Sequence, residues 1–190
     1  MALLYELLSV FVVSFGLNLI PFASPSNLFI ASNAALLVSS DPFTLGFLVA
    51  LGSVLAKGIH YIVTFFIGKH LGEKRRQHLD AEGLKIKRWA FLLLFIAAAT
   101  PIPDEPVVIP LGLMKYNPAK FFLAFFLGKL SITVAGAYLG NWSEDVLSSA
   151  ISQQVLIVTS IVLTILITVL LLKIDLSKIV DKILKRNPNK

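Results

Sequence analysis

Four charged residues stand in otherwise apolar stretches: Lys57, Asp104, Glu105 and Lys129. Lys57 lies near the middle of the run Pro42–Gly68, and Lys129 near the middle of Pro118–Asn141. The two acids sit at a proline-rich break, Thr100-Pro101-Ile102-Pro103-Asp104-Glu105-Pro106. An ionised group at the centre of a membrane helix costs about 2.5–3.5 kcal/mol on insertion scales, so each needs a partner or water. The economical arrangement pairs the lysines with the acids, with Ser53, His60, Thr64 and Thr133 on the same helical faces. A polar centre of this kind suits a lipid headgroup in passage, or a proton carried on Asp104 or Glu105 by a coupled exporter of small cations. The plainer readings are lysines that snorkel, although both sit far from helix ends, and acids that cap the arm beginning at Val107. A scaffold whose charge pairs are purely structural is the third class.

The elements that must position these charges are read from composition. The chain has 190 residues, 56% of them hydrophobic and only 15% charged, against roughly half and a quarter in soluble domains. Residues 7–40 and 153–172 carry no charge, and about 20 apolar residues suffice to cross the hydrocarbon of a bilayer. This is the pattern of a small multi-pass membrane protein, and it excludes a large extramembrane enzyme domain or a nucleic-acid module. With no cysteine, disulfides and thiolate metal sites are excluded too. Met1–Pro21 has no basic n-region, so it reads as retained structure rather than a cleaved signal.

Charge placement orients the segments. Thirteen of the seventeen Lys and Arg fall in 69–88 and 173–190, which the positive-inside rule places in the cytoplasm of a cell-membrane protein. Pro42–Gly68 and Gln153–Leu172 then run inward, and Pro118–Asn141 outward. The segment between the first and last of these, Trp89–Met114, must enter and leave by the same face. Its prolines forbid a continuous helix, so it reads as a re-entrant hairpin broken at Pro101, Pro103 and Pro106. The N-terminal segment has the same plan, with arms Leu3–Ile20 and Asn27–Val38 and a break at Pro21, Pro25 and Asn27.

The two hairpins resemble copies of each other. Pro25-Ser26-Asn27 precedes Pro103-Asp104-Glu105 by 78 residues, and Asp41-Pro42 with Gly52 matches Asn117-Pro118 with Gly128 at a shift of 76. Each following helix ends in small residues four apart, Gly68 and Gly72, then Gly136 and Gly140, which permit close helix approach within the monomer or between protomers. Opposite entry faces make the repeats inverted, an architecture of transporters.

His60, His70 and His78 have no metal-ligand spacing, and no catalytic or phosphate-loop motif is present. The tail Ile174–Arg186 alternates an apolar face with Lys178, Lys182 and Lys185, as an interfacial helix on anionic headgroups would.

The motifs together resemble the DedA/VTT superfamily over about Asn18–Asn141. The carriers are Asn18-Leu19-Ile20-Pro21, Pro25-Ser26-Asn27, Leu51-Gly52, Gly68-Lys69-His70-Leu71-Gly72, Ala99–Glu105, Pro110–Leu113 and Phe121-Phe122 with Leu127-Gly128-Lys129. The resemblance implies two opposed re-entrant hairpins and movement of lipids across the bilayer, either phospholipid scrambling or recycling of polyprenyl-phosphate carriers; some members are linked to proton-dependent drug tolerance. Two departures from the bacterial pattern stand out. Asn27 replaces the acid after the first Pro-Ser, and Thr100 and Pro106 stand where arginines are usual, which leaves Lys57 and Lys129 as the cations able to meet a phosphate.

The expected fold is therefore all-α, in one membrane domain. It comprises repeat 1 (1–72), a basic loop (73–88), repeat 2 (89–141), a last transmembrane helix (153–173) and a basic amphipathic tail (174–190). The expected site is Asp104, Glu105, Lys57 and Lys129. Lipids are the expected partners, with a homo-oligomer open. No enzyme activity, cofactor, metal or nucleic acid is expected.

Overall fold

The computed structural model describes residues 1–21, 24–69 and 89–147, with Val155, Val158, Thr159, Val162 and Leu166 beyond them. The described residues form helices and their connections: α1 (Ala2–Leu19), α2 (Asn27–Leu37), α3 (Pro42–Lys69), α4 (Trp89–Ala98), α5 (Glu105–Leu113) and α6 (Pro118–Leu147). The basic loop 73–88, the tail 174–190, Gly72 and all but isolated residues of the last expected crossing lie outside the described residues. Among the described residues, three helices are long and apolar enough to cross a membrane, α1, most of α3 and most of α6, as in a multi-pass membrane protein. The first arm, read from the sequence as Leu3–Ile20, is α1, 18 residues and about 27 Å long. Its outer face carries exposed Leu4, Tyr5, Leu8 and Val12, an apolar surface suited to lipid.

The repeated Asx-Pro pairs have a local cause. Asp41 Oδ2 accepts the Thr44 backbone N–H at 2.9 Å and its hydroxyl at 3.2 Å, and Asn117 Oδ1 accepts the Lys120 backbone N–H at 3.0 Å. Each caps a long helix whose first residue is a proline, a position where the missing N–H costs nothing.

The long helices α3 and α6 cross antiparallel. Gly46, near the start of α3, meets Val134 far along α6, while Gly58 meets Phe122 near the start of α6. The two contacts exchange under the 76-residue shift, which carries Gly46 to Phe122 and Gly58 to Val134. Side chains at either glycine would be driven into the opposite helix, with a Cβ only 2.7 Å from its nearest neighbour.

The short helices divide between the two long ones. Along α3, α1 packs on the first half, where Gly52 abuts the Phe11 and Phe15 backbone. The second half carries α5, where Gly68 abuts Leu113. Along α6, Gly128 abuts Phe95 and Ala98 at the end of α4, then Gly136 and Gly140 abut Leu28 and Ser32 of α2. Each second arm thus lies on the long helix of the other half of the chain. The glycines Gly68, Gly136 and Gly140 serve packing within one chain. Two apolar clusters follow this division, one around Tyr61, Leu94, Val108, Phe121 and Phe125, the other around Val10, Ala31, Leu45 and Val49.

The end of α5 is a Schellman turn. Tyr116 N–H donates to Leu111 O and Lys115 N–H to Gly112 O, and Lys115 takes a φ of 51°. A left-handed residue here is usually glycine, since a Cβ crowds the following carbonyl. Lys115→Gly is expected to raise stability by about 1 kcal/mol, read as a higher Tm in detergent; an unchanged or lower Tm would show that Lys115 compensates through contacts of its own.

Candidate functional site

The two breaks lie at the midpoints of the long helices. Residues 20–26 separate α1 from α2, and 99–104 separate α4 from α5. Pro21, Pro25, Pro101 and Pro103 fall within these non-helical stretches. Asn27 and Pro106, which the sequence reading places in the breaks, instead lie in the first turns of α2 and α5. For Pro106 the reason is the one that favours proline early in any helix: its ring presets φ, and the absent N–H has no intrahelical partner to lose.

Lys57 projects from the centre of α3 and touches both breaks. Its ammonium pairs closely with Glu105, lies 3.7 Å from Asp104 Oδ1, and donates to Ser24 Oγ of the first break at 3.2 Å. Lys129, from α6, pairs with Asp104 Oδ2 at 2.6 Å and stands 5.2 Å from the centre of the Phe125 ring. All four charged side chains are at most 4% exposed. Two cations and two anions removed from water in one chain of contacts cancel, and Asp104 bridges the two lysines. Breaking such a cluster leaves an uncompensated charge in an apolar interior, which costs far more than the assembled cluster contributes. Asp104 occupies the N-cap position of α5 but makes no side-chain capping bond, so its carboxylate serves the lysines rather than the helix end.

A second, neutral cluster secures the first break. Asn18 and Asn27 exchange amide hydrogen bonds at 2.9 and 3.0 Å. Ser53 Oγ donates to Asn18 Oδ1 at 3.1 Å, Asn18 Nδ2 also reaches Ser14 O, and Ser14 Oγ donates to Val49 O. Every polar atom of the Asn18 side chain is used, as burial demands. The sequence reading did not assign Ser14, Asn18, Ser24 and Ser26 to a site. The available signal was Ser14 and Asn18 four apart in the otherwise apolar second half of α1, hence on one face. The expected neighbours of Lys57 and Lys129 divide. Ser53 joins this cluster and His60 Nε2 lies 3.0 Å from Leu19 O at the end of α1. Thr64 and Thr133 hydroxyls bond backwards to their own helices.

Between the breaks is a small cavity walled by Ser24, Pro25, Ser26, Pro103, Asp104 and Lys129 among others, with about 20 Å³ open to the centre of a water molecule. That is room for about one water. Ser26 Oγ is buried and has no hydrogen-bond partner among the described residues. No group of three or more His, Cys, Asp or Glu able to hold a metal occurs among the described residues.

Comparison with known proteins agrees with the motifs. The family model of the VTT domain matches residues 20–142, a stretch that contains both breaks, both long-helix centres and all four charges. Over 89 residues the chain is 34% identical to an uncharacterised protein of Methanocaldococcus jannaschii, covering 44% of this chain and 56% of that one. The chain thus matches little more than half the length of that curated relative. No solved structure matches. The matched span and the broken, charge-bearing helix pairs within it place the chain in the VTT-domain (DedA) family of membrane proteins.

Proposed function

We propose that this protein moves lipids across a bilayer, with the polar headgroup passing through the centre built by Lys57, Asp104, Glu105 and Lys129 while the tails remain in hydrocarbon. The observation that carries this reading is that both helix breaks meet at the middle of α3 and α6 around a balanced, buried set of charges. With 11 and 9 residues, α2 and α5 are about 13–17 Å long, half the depth of the hydrocarbon. If α3 spans, α1 ends and α5 begins at its midplane, and the barrier there is thin and lined by polar groups. The exchanged contacts of α3 and α6 support reading the halves as inverted repeats, and each half then supplies a re-entrant hairpin, the first entering from outside and the second from the cytoplasm. Broken backbone at that depth is tolerated where it is buried in protein or lines a watery cavity.

The test is purified protein in liposomes carrying a fluorescent phospholipid, quenched from outside with and without a proton gradient. Loss of signal beyond the outer leaflet, independent of the gradient, is the expected result. Lys129→Met is expected to slow it on the order of tenfold, equivalent to about 1.4 kcal/mol on the barrier, with the variant still inserted and monodisperse. Gradient-dependent uptake of a small cation, with no lipid movement, would instead establish a proton-coupled exporter. Neither activity from folded protein would leave the charges a structural role.

A further inference from the structure

The first hairpin holds an apolar cleft. α1 and α2 lean on different long helices, α3 and α6, and scarcely touch each other. The wedge between them is a cleft of about 440 Å³, within the range of about 300–1,000 Å³ typical of small-molecule sites. Its walls are Val10, Val13 and Leu17 on one side and Ile30, Ala34 and Leu37 on the other. Pro25 closes one end, and Pro25 is also a wall of the polar cavity between the breaks. An apolar slot therefore runs up to a polar spot across a single residue.

We infer that this cleft holds one hydrocarbon chain of a phospholipid with its ester end at Pro25, a lipid caught in transit rather than one at rest in the outer leaflet. The inference rests on the lipid-moving function proposed above. Two observations favour that occupant and that direction. The shared wall at Pro25 joins chain site to head site. Ser26 Oγ, buried and unpartnered among the described residues, offers a hydroxyl to a phosphate or ester oxygen at the head end, and buried polar groups in native proteins find partners. A headgroup at mid-depth must draw its chains sideways, and a protein-walled apolar slot receives one of them without exposing it to the charged cluster.

Photoreactive phosphatidylcholines with the diazirine either near the ester or at the chain terminus, incorporated with the full-length protein in vesicles, test this directly. The near-ester probe is expected to label the Leu17–Ile30 end of the cleft, and the terminal probe the Val10 and Leu37 end. The reverse pattern would mean an ordinary outer-leaflet lipid, and labelling spread evenly over exposed surfaces such as Leu123 and Tyr138 would mean no site; either overturns the inference. Ala34→Trp should abolish the labelling and slow lipid movement severalfold, with Leu17→Trp as the second variant should the first fail to fold. The natural chain has no cysteine, so a disulfide between Val13→Cys and Val158→Cys would reveal a helix seated in the cleft and overturn the lipid assignment. Lipid movement with scattered labelling removes the chain site alone. Ordered labelling without lipid movement retains a lipid site and removes the transport function.

Discussion

Lys57→Met is expected to destabilise the protein by about 3–5 kcal/mol, the usual cost of removing one member of a buried charge pair, while the double variant Lys57→Met/Glu105→Leu recovers most of that loss. The reasoning follows from burial. Lys57 is 1% exposed and contacts Glu105, Asp104 and Ser24 at once. Without its ammonium, the Glu105 carboxylate loses its close cation Lys57 in an interior that solvates it poorly, while Asp104 keeps Lys129. Removing the carboxylate as well restores balance, and an apolar pair of similar volume packs about as well as the ion pair it replaces. Thermal unfolding of the two single variants and the double variant in one detergent gives the coupling between them. A double variant no more stable than the worse single variant would show that Lys57 acts through Ser24 and the first break rather than through Glu105. Lipid movement by the rescued double variant reports separately: loss of activity with recovered stability assigns the pair to passage rather than folding.

Gly136→Ala is expected to destabilise by about 1–3 kcal/mol, the cost of overpacking a tight contact. A Cβ there would lie 2.4 Å from Leu28 O, a backbone atom that cannot turn aside. Relief requires α2 to move off α6, and α2 carries Asn27, half of the amide pair that secures the first break. The substitution therefore reaches the polar centre through the helix it displaces. Gly16→Ala is the control, because nothing lies within 4 Å of its added Cβ, and exchanging Gly for Ala in a helix interior is favourable by about 0.5–1 kcal/mol. Opposite shifts in Tm are expected from two chemically identical substitutions. A fall at both positions would mean that Gly16 faces a surface formed outside the described residues, and no fall at Gly136 would mean that α2 yields without cost.

Much of the fold is legible in local sequence because its causes are local. The apolar runs lengthen into helices, Asp41-Pro42 and Asn117-Pro118 cap and start the two longest of them, and clustered prolines stop α1 and α4. Pro106 shows the limit of such reading. As one proline among three it looks like part of a break, but whether a proline ends a helix or begins one depends on where the next helix starts. Asn18 and Asn27 were equally opaque. Either amide could have faced water, and only the meeting of α1 with α2 beside Ser53 gives the two an arrangement in which each satisfies the other.

The sequence by itself determined that four charges would lie deep in an apolar protein and would need one another, because burying any of them unpaired is too costly. It also determined where the helices break and which small residues permit close approach. The tertiary structure alone decided the pairing. It assigned Lys57 to Glu105 and to both breaks, Lys129 to Asp104, and each second arm to the long helix of the other half. Those choices depend on residues tens of positions apart meeting in space, set by the antiparallel crossing of α3 on α6 at Gly46 and Gly58. Side-chain type and spacing establish what must be neutralised, whereas the packing of whole helices establishes by which partner.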